Sequence, residues 1–184
     1  MTVQALDLEH KFVALGETRA TTDGLAIEGY ASHFGTPDRG GDVVQPGAYA
    51  ASLTALAAKG GQVRMLWQHD PAQPIGIWDE VREDEHGLWV KGRLLTEVGR
   101  GREAVALLEA GAIDGLSIGY RTVKAARDGK GLRHLTELEL WEVSLVTFPM
   151  LPEARVAAKS DDLSAALREL AGVFDEARRS LAGR

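Results

Sequence analysis

The stretch LSIGYRTVKAARDGKGLRHLTELELWEVSLVTF, residues 116–148, decides how the rest of the chain reads. Its two ends, 116–123 and 133–148, are rich in β-branched and aromatic residues that alternate with polar ones, the pattern of a strand with one buried face. Between them lies the polar segment Arg127-Asp128-Gly129-Lys130-Gly131, whose glycines and aspartate suit a turn. The two runs therefore form an antiparallel hairpin.

Working outward, residues 25–30, 63–68, 75–83 and 88–94 have the same short, β-branched or aromatic character between Gly, Pro or Asp boundaries. Glu85-His86-Gly87 turns the third of these into the fourth. Helices are expected over 47–59, stopped by Gly60-Gly61, and over 97–110, stopped by Gly111, because glycine accepts the left-handed conformation that ends a helix. Hairpins outnumber parallel crossovers, so the expected fold is α+β and β-rich, a small antiparallel β-barrel or curled sheet flanked by helices.

The core is expected to close before Pro149, with a first unit over 1–152 and an appendage over 153–184. In that appendage Leu163, Leu167, Leu170, Phe174, Ala177 and Leu181 step by four and three, predicting a C-terminal amphipathic helix over 160–181. Its stripe either packs on its own domain or serves docking or self-association.

Composition removes several function classes. At 184 residues with 45% hydrophobic content the chain can bury a core of about one domain. No stretch approaches the roughly 18 apolar residues of a membrane span, and the N-terminus lacks the layout of a signal peptide, so the chain is expected to stay where it is made. The absence of cysteine excludes disulfides, thiolate nucleophiles and Cys-ligated zinc. A formal net charge of -6 without any Lys/Arg run argues against direct nucleic-acid binding. No cofactor is expected, and His10, His33, His86 and His134 are too scattered for a metal site. Asp38-Arg39-Gly40-Gly41-Asp42 lacks the spacing of a calcium loop and reads as a surface turn.

Three positions can carry chemistry. Alternation along 63–69 places His69 at a strand end on the apolar side of Val63, Met65 and Trp67, either as a hydrogen-bonded core residue or as a general base. Ser117 lies in Gly115-Leu116-Ser117-Ile118-Gly119, where bare backbone admits a substrate carbonyl. That segment fits G-x-S-x-G formally, without the strand-to-helix turn or residue order of an esterase. Glu142 alternates with Leu138, Leu140 and Val146, and a carboxylate on an apolar stripe needs a partner. The partner is either His69 or an arginine such as Arg64 or Arg121. Glu139, on the opposite face, ranks below it, and Ser144 reads as a core hydroxyl.

The ordered segments Trp67-Gln68-His69-Asp70, Gly115-Leu116-Ser117-Ile118-Gly119-Tyr120 and Trp141-Glu142-Val143-Ser144-Leu145-Val146-Thr147-Phe148-Pro149, with Asp42-Val43-Val44-Gln45-Pro46-Gly47-Ala48-Tyr49 before them, resemble the prohead maturation proteases of HK97-type tailed phages. That family is related in fold to the herpesvirus assemblins, serine proteases built on a β-barrel surrounded by helices. The resemblance implies a serine protease domain over 1–152 with Ser117 as nucleophile, His69 as base and Glu142 as orienting acid. It implies a major capsid protein precursor and its scaffold region as partner and substrate, self-cleavage with the 156–160 linker as its point, and action inside the immature capsid in the cytoplasm of a bacterial host. It also gives the C-terminal helix a docking role. The rival classes are a noncatalytic assembly factor that keeps the fold and a lipase-like esterase.

Overall fold

The computed structural model describes residues 9–14, 18–21 and 24–147. Along the chain these form β1 (Glu9–Ala14), β2 (Thr18–Thr21), β3 (Gly24–His33), β4 (Asp42–Val44), α1 (Ala50–Ala58), β5 (Arg64–Trp67), β6 (Asp70–Glu83), β7 (Gly87–Leu94), α2 (Gly99–Glu109), β8 (Gly115–Arg127) and β9 (Arg133–Val146). The expected boundary at Pro152, the 156–160 linker and the helix over 160–181 lie outside the described residues.

One sheet holds all the strands in the order β1-β8-β9-β5-β6-β7-β3-β2, with β4 also paired to β9. It curls into a half-barrel, so that β3 near one end of the order contacts both β1 and β8 at the other. One face of the sheet holds the core. Leu116, Ile118, Tyr120, Leu140, Val143 and Leu145 from the central hairpin pack there with Met65, Ile75 and Leu94. The indole N–H of Trp78 donates to the Val143 carbonyl at 3.2 Å, satisfying a buried polar group against the hairpin's backbone.

The expected hairpins β6–β7 and β8–β9 are present. The expected β-rich curled sheet is found, with antiparallel pairings predominating, and β9 adds two parallel ones, with β4 at its start and with β5 at its end. Local hairpin signals could not announce pairings between segments that far apart in sequence. The same limit hid β1, whose partner β8 lies far along the chain, and the role of the Asp38–Asp42 segment, whereas β2 forms an unexpected local hairpin with the adjacent β3. The Asp38–Asp42 segment is the expected turn, with Arg39 and Gly40 exposed, but both of its aspartates are buried and it leads into β4.

Between its two parallel partners, β9 leaves an open edge that α1 closes. The Leu138 N–H donates to the Ala48 carbonyl at 2.9 Å and the Leu140 N–H to Ser52 Oγ at 2.9 Å. A sheet edge is thus capped from a helix start and offers no free ladder. Both helices end as expected. Gly60 and Gly111 adopt positive φ, and the N–H groups of Gly61 and Ala112 return to the carbonyls of Leu56 and Leu107.

Candidate active site

Residues directly opposite in an antiparallel pair present their side chains to the same face. In the β8–β9 ladder, Tyr120 faces Leu140, Gly119 faces Glu142, Ile118 faces Val143 and Ser117 faces Ser144. Trp141 is therefore an extra residue, a β-bulge whose side chain is 37% exposed. Regular alternation would put Glu142 on the core face with Leu140. The bulge shifts it by one, and Glu142 joins Ser117 and Ser144 on the face opposite the core. This corrects the expected alternation of Glu142 with Leu138 and Leu140, which counts residues and misses the bulge; such bulges re-aim side chains.

His69 also departs from simple alternation. The strand stops at Trp67, and Gln68 and His69 both have positive φ, 51° and 63°. With Trp67 paired to Asp70, they form a two-residue hairpin turn of the type that needs left-handed backbone at both central positions. Met65 and Trp67 pair with Val143 and Leu145 on the core face. His69 swings away from them, so the expected shared face with Met65 and Trp67 does not hold.

The turn brings His69 onto Glu142. His69 Nδ1 lies 2.5 Å from Glu142 Oε1, with the imidazole 15% and the carboxylate 4% exposed. A carboxylate oxygen only accepts, so the shared proton assigns N–H to Nδ1 and leaves the acceptor lone pair on Nε2. The other oxygen, Oε2, accepts a hydrogen bond from Ser144 Oγ at 2.5 Å. Ser144 Oγ in turn accepts the backbone N–H of His69 at 3.1 Å. Gln68 fixes the same turn. Its N–H reaches the Leu145 carbonyl at 3.0 Å, and its side-chain amide donates to Thr147 Oγ1 at 2.6 Å.

Ser117 is fully buried, on the same face, and its hydroxyl has no hydrogen-bond partner among the described residues. A buried hydroxyl left unsatisfied calls for an explanation, and a reacting group is one. Gly119 makes room for Glu142. A Cβ there would lie 2.1 Å from Glu142 Oε1.

The structure thus joins His69 to Glu142 and sets Ser117 one cross-strand pair beyond Glu142 on the same face. Arg121, one of the arginines expected as an alternative partner, binds Glu139 instead, through Nε at 2.8 Å and Nη2 at 2.5 Å on the exposed side. Ser144 is more than the expected core hydroxyl. Its position two residues after Glu142 on a strand, hence on the same face, is the signal that could have found it. No group of acidic and histidine side chains suited to a metal ion occurs among the described residues.

A serine hydroxyl, an imidazole and a carboxylate are the groups that acyl transfer uses; here the imidazole is joined to the carboxylate, and Ser117 lies on the carboxylate's face of the sheet. The sequence profile of the Caudovirus prohead serine protease family matches residues 14–169. The chain belongs to that family. It is a serine protease of capsid maturation. The prohead protease of Enterobacteria phage HK97 is 33% identical over 162 residues, covering 84% of this chain and 70% of that protein. A capsid polyprotein of Pseudomonas phage PAJU2 is 32% identical over 135 residues, which is 67% of this chain and 18% of that longer one. The solved bacteriophage T4 capsid assembly protease superposes with a TM-score of 0.67 at 18% identity, over 77% of this chain and 98% of that one, so the two share a fold. No helix among the described residues is long and apolar enough to cross a membrane.

Proposed function

We propose that this prohead protease is a Ser-His-Glu endopeptidase that cleaves the scaffold-like part of a major capsid protein precursor inside the immature shell, in the cytoplasm of a bacterial host, and afterwards cleaves itself. The buried His69–Glu142 pair at 2.5 Å carries this assignment, because an orienting acid on Nδ1 is what makes Nε2 a general base. Ser117 Oγ attacks the scissile carbonyl carbon, and its proton passes to His69 Nε2. The C–O bond forms as the carbonyl π electrons move onto oxygen. Glu142 stabilises the imidazolium through Nδ1–H. Collapse of the tetrahedral adduct breaks the C–N bond, and His69 returns the proton to the leaving amine. Water, deprotonated by the same imidazole, then releases the acyl group and restores Ser117.

Family membership and the relatives' names support action on a capsid precursor, while the scaffold region as substrate and the self-cleavage rest on the family resemblance alone. The 156–160 segment is the proposed point of self-cleavage, and the chain beyond it the proposed docking element for the capsid precursor or for a second copy. Intact-mass spectrometry of wild type and Ser117→Ala, each incubated alone and with the purified major capsid protein precursor, tests the proposal. Discrete products from wild type alone are expected. Products from both proteins would remove Ser117 from its role, and binding without cleavage by either would favour a noncatalytic assembly factor. Glu142→Gln should retain weak activity, and full activity would remove Glu142 from the triad.

A further inference from the structure

We infer that Ser144 is a positioning residue that locks both ends of the His69–Glu142 hydrogen bond. The inference rests on the Ser-His-Glu reading above and adds a fourth side chain to it. Ser144 is fully buried, and its hydroxyl has one proton to give and lone pairs to receive. The proton goes to Glu142 Oε2 at 2.5 Å, while the other carboxylate oxygen, Oε1, holds His69 Nδ1 at 2.5 Å. A lone pair receives the His69 backbone N–H at 3.1 Å. One hydroxyl therefore fixes the rotation of the acid and the backbone that carries the base.

Both parts need fixing. A glutamate reaches Glu142's position through rotatable bonds, and a carboxylate held at one oxygen can turn about its last torsion. His69 sits at φ 63°, following Gln68 at φ 51°, a backbone conformation that side-chain-bearing residues adopt only when their surroundings enforce it. Ser144 Oγ gives the His69 N–H an acceptor within this turn. The Ser117–Ser144 pairing adds a size limit, since cross-strand partners on one face stand close together and a bulky residue at 144 would press on Ser117.

The test combines Ser144→Ala, Ser144→Thr, Glu142→Ala and the Ser144→Ala/Glu142→Ala double variant. Each is assayed in the full chain by cleavage of the purified capsid precursor. Proton NMR of the free enzyme follows the Nδ1–H resonance, far downfield when that proton is held by a carboxylate. Ser144→Ala should lower kcat on the order of 100-fold with KM little changed, the scale of a misplaced catalytic group, and should move the Nδ1–H signal upfield. Ser144→Thr keeps the hydroxyl and should restore most of kcat and the downfield signal. In the Glu142→Ala background, Ser144→Ala should cost far less, because the acid it holds is gone.

Wild-type kcat with an unmoved signal in Ser144→Ala overturns the inference, as do equal and additive losses in the two backgrounds. Should Ser144→Ala fail to fold, Ser144→Cys keeps the size and exchanges the hydroxyl for a weak donor. Its NMR signal then decides in the same sense. Full activity in Glu142→Ala would instead overturn the triad, so the two failures are told apart.

Discussion

Gly119 and Glu142 face each other across the β8–β9 ladder, and the carboxylate occupies the space where any side chain at 119 would begin. A Cβ would stand 2.1 Å from Oε1, 2.8 Å from Cδ and 2.9 Å from Cγ, so the glutamate would have to leave its place on His69. Gly119→Ala is therefore expected to lower kcat on the order of 100-fold and stability by about 1–3 kcal/mol. Precursor cleavage and urea unfolding check the two effects. A folded, fully active Gly119→Ala would mean that Glu142 has a second place from which it serves His69 equally well.

Gln68 presents the opposite trade. Its positive φ costs an ordinary residue about 1–2 kcal/mol, while its side chain ties the turn to Thr147 Oγ1. Gln68→Gly removes the backbone strain and a hydrogen bond worth about 1 kcal/mol, so the midpoint of urea unfolding should shift little. The turn that carries His69 would lose a restraint, and kcat should fall while stability holds. A loss of both in proportion would place Gln68 in the fold alone.

How much of this was legible beforehand differs from residue to residue. The β8–β9 and β6–β7 hairpins were readable because their pairing is local and their turns carry Gly and Asp. The bulge at Trp141 was not, since an extra residue in one strand leaves no mark on that strand's own composition. It shows only in the register against β8, and with it the face on which Glu142 lies. The left-handed Gln68-His69 turn was equally hidden, because neither residue is a turn former. It persists through Ser144, Leu145 and Thr147, which lie more than 70 residues away in sequence. Ser117, His69 and Glu142 could be singled out as residue types in unusual settings. The contacts that hold two of them together depend on these non-local features.

Away from the site, Asp42 ties the start of β4 to the hairpin. Its carboxylate accepts Arg133 Nε at 2.7 Å and Nη2 at 2.5 Å, and the Tyr120 hydroxyl at 3.1 Å, in a largely buried position. Asp42→Asn removes the charge that the Arg133 guanidinium and the Tyr120 hydroxyl share and should destabilise the fold by about 2–3 kcal/mol. In urea the midpoint should fall with the slope unchanged. Because these groups lie on the core side, kcat of the folded fraction should stay near wild type.

Asp84 gives the fold an acid-sensitive joint at the β6–β7 turn. Its removal from water raises the carboxyl's pKa, but the donors on it outweigh that and hold it below the ordinary aspartate value. They are the N–H groups of His86 and Gly87, the Tyr30 hydroxyl and Arg82. A carboxyl whose pKa is lower folded than unfolded stabilises the fold above its unfolded value. That stability is lost as pH falls through the folded value, when the native state must bind a proton it resists. Asp84→Asn removes the contribution, so its melting temperature should lie below wild type near neutrality. The gap should close as pH drops below the ordinary aspartate range, measured by thermal unfolding from about pH 7 to about pH 2. A constant gap across that range would mean that the lost hydrogen bonds, and not the carboxylate's charge, carry the effect.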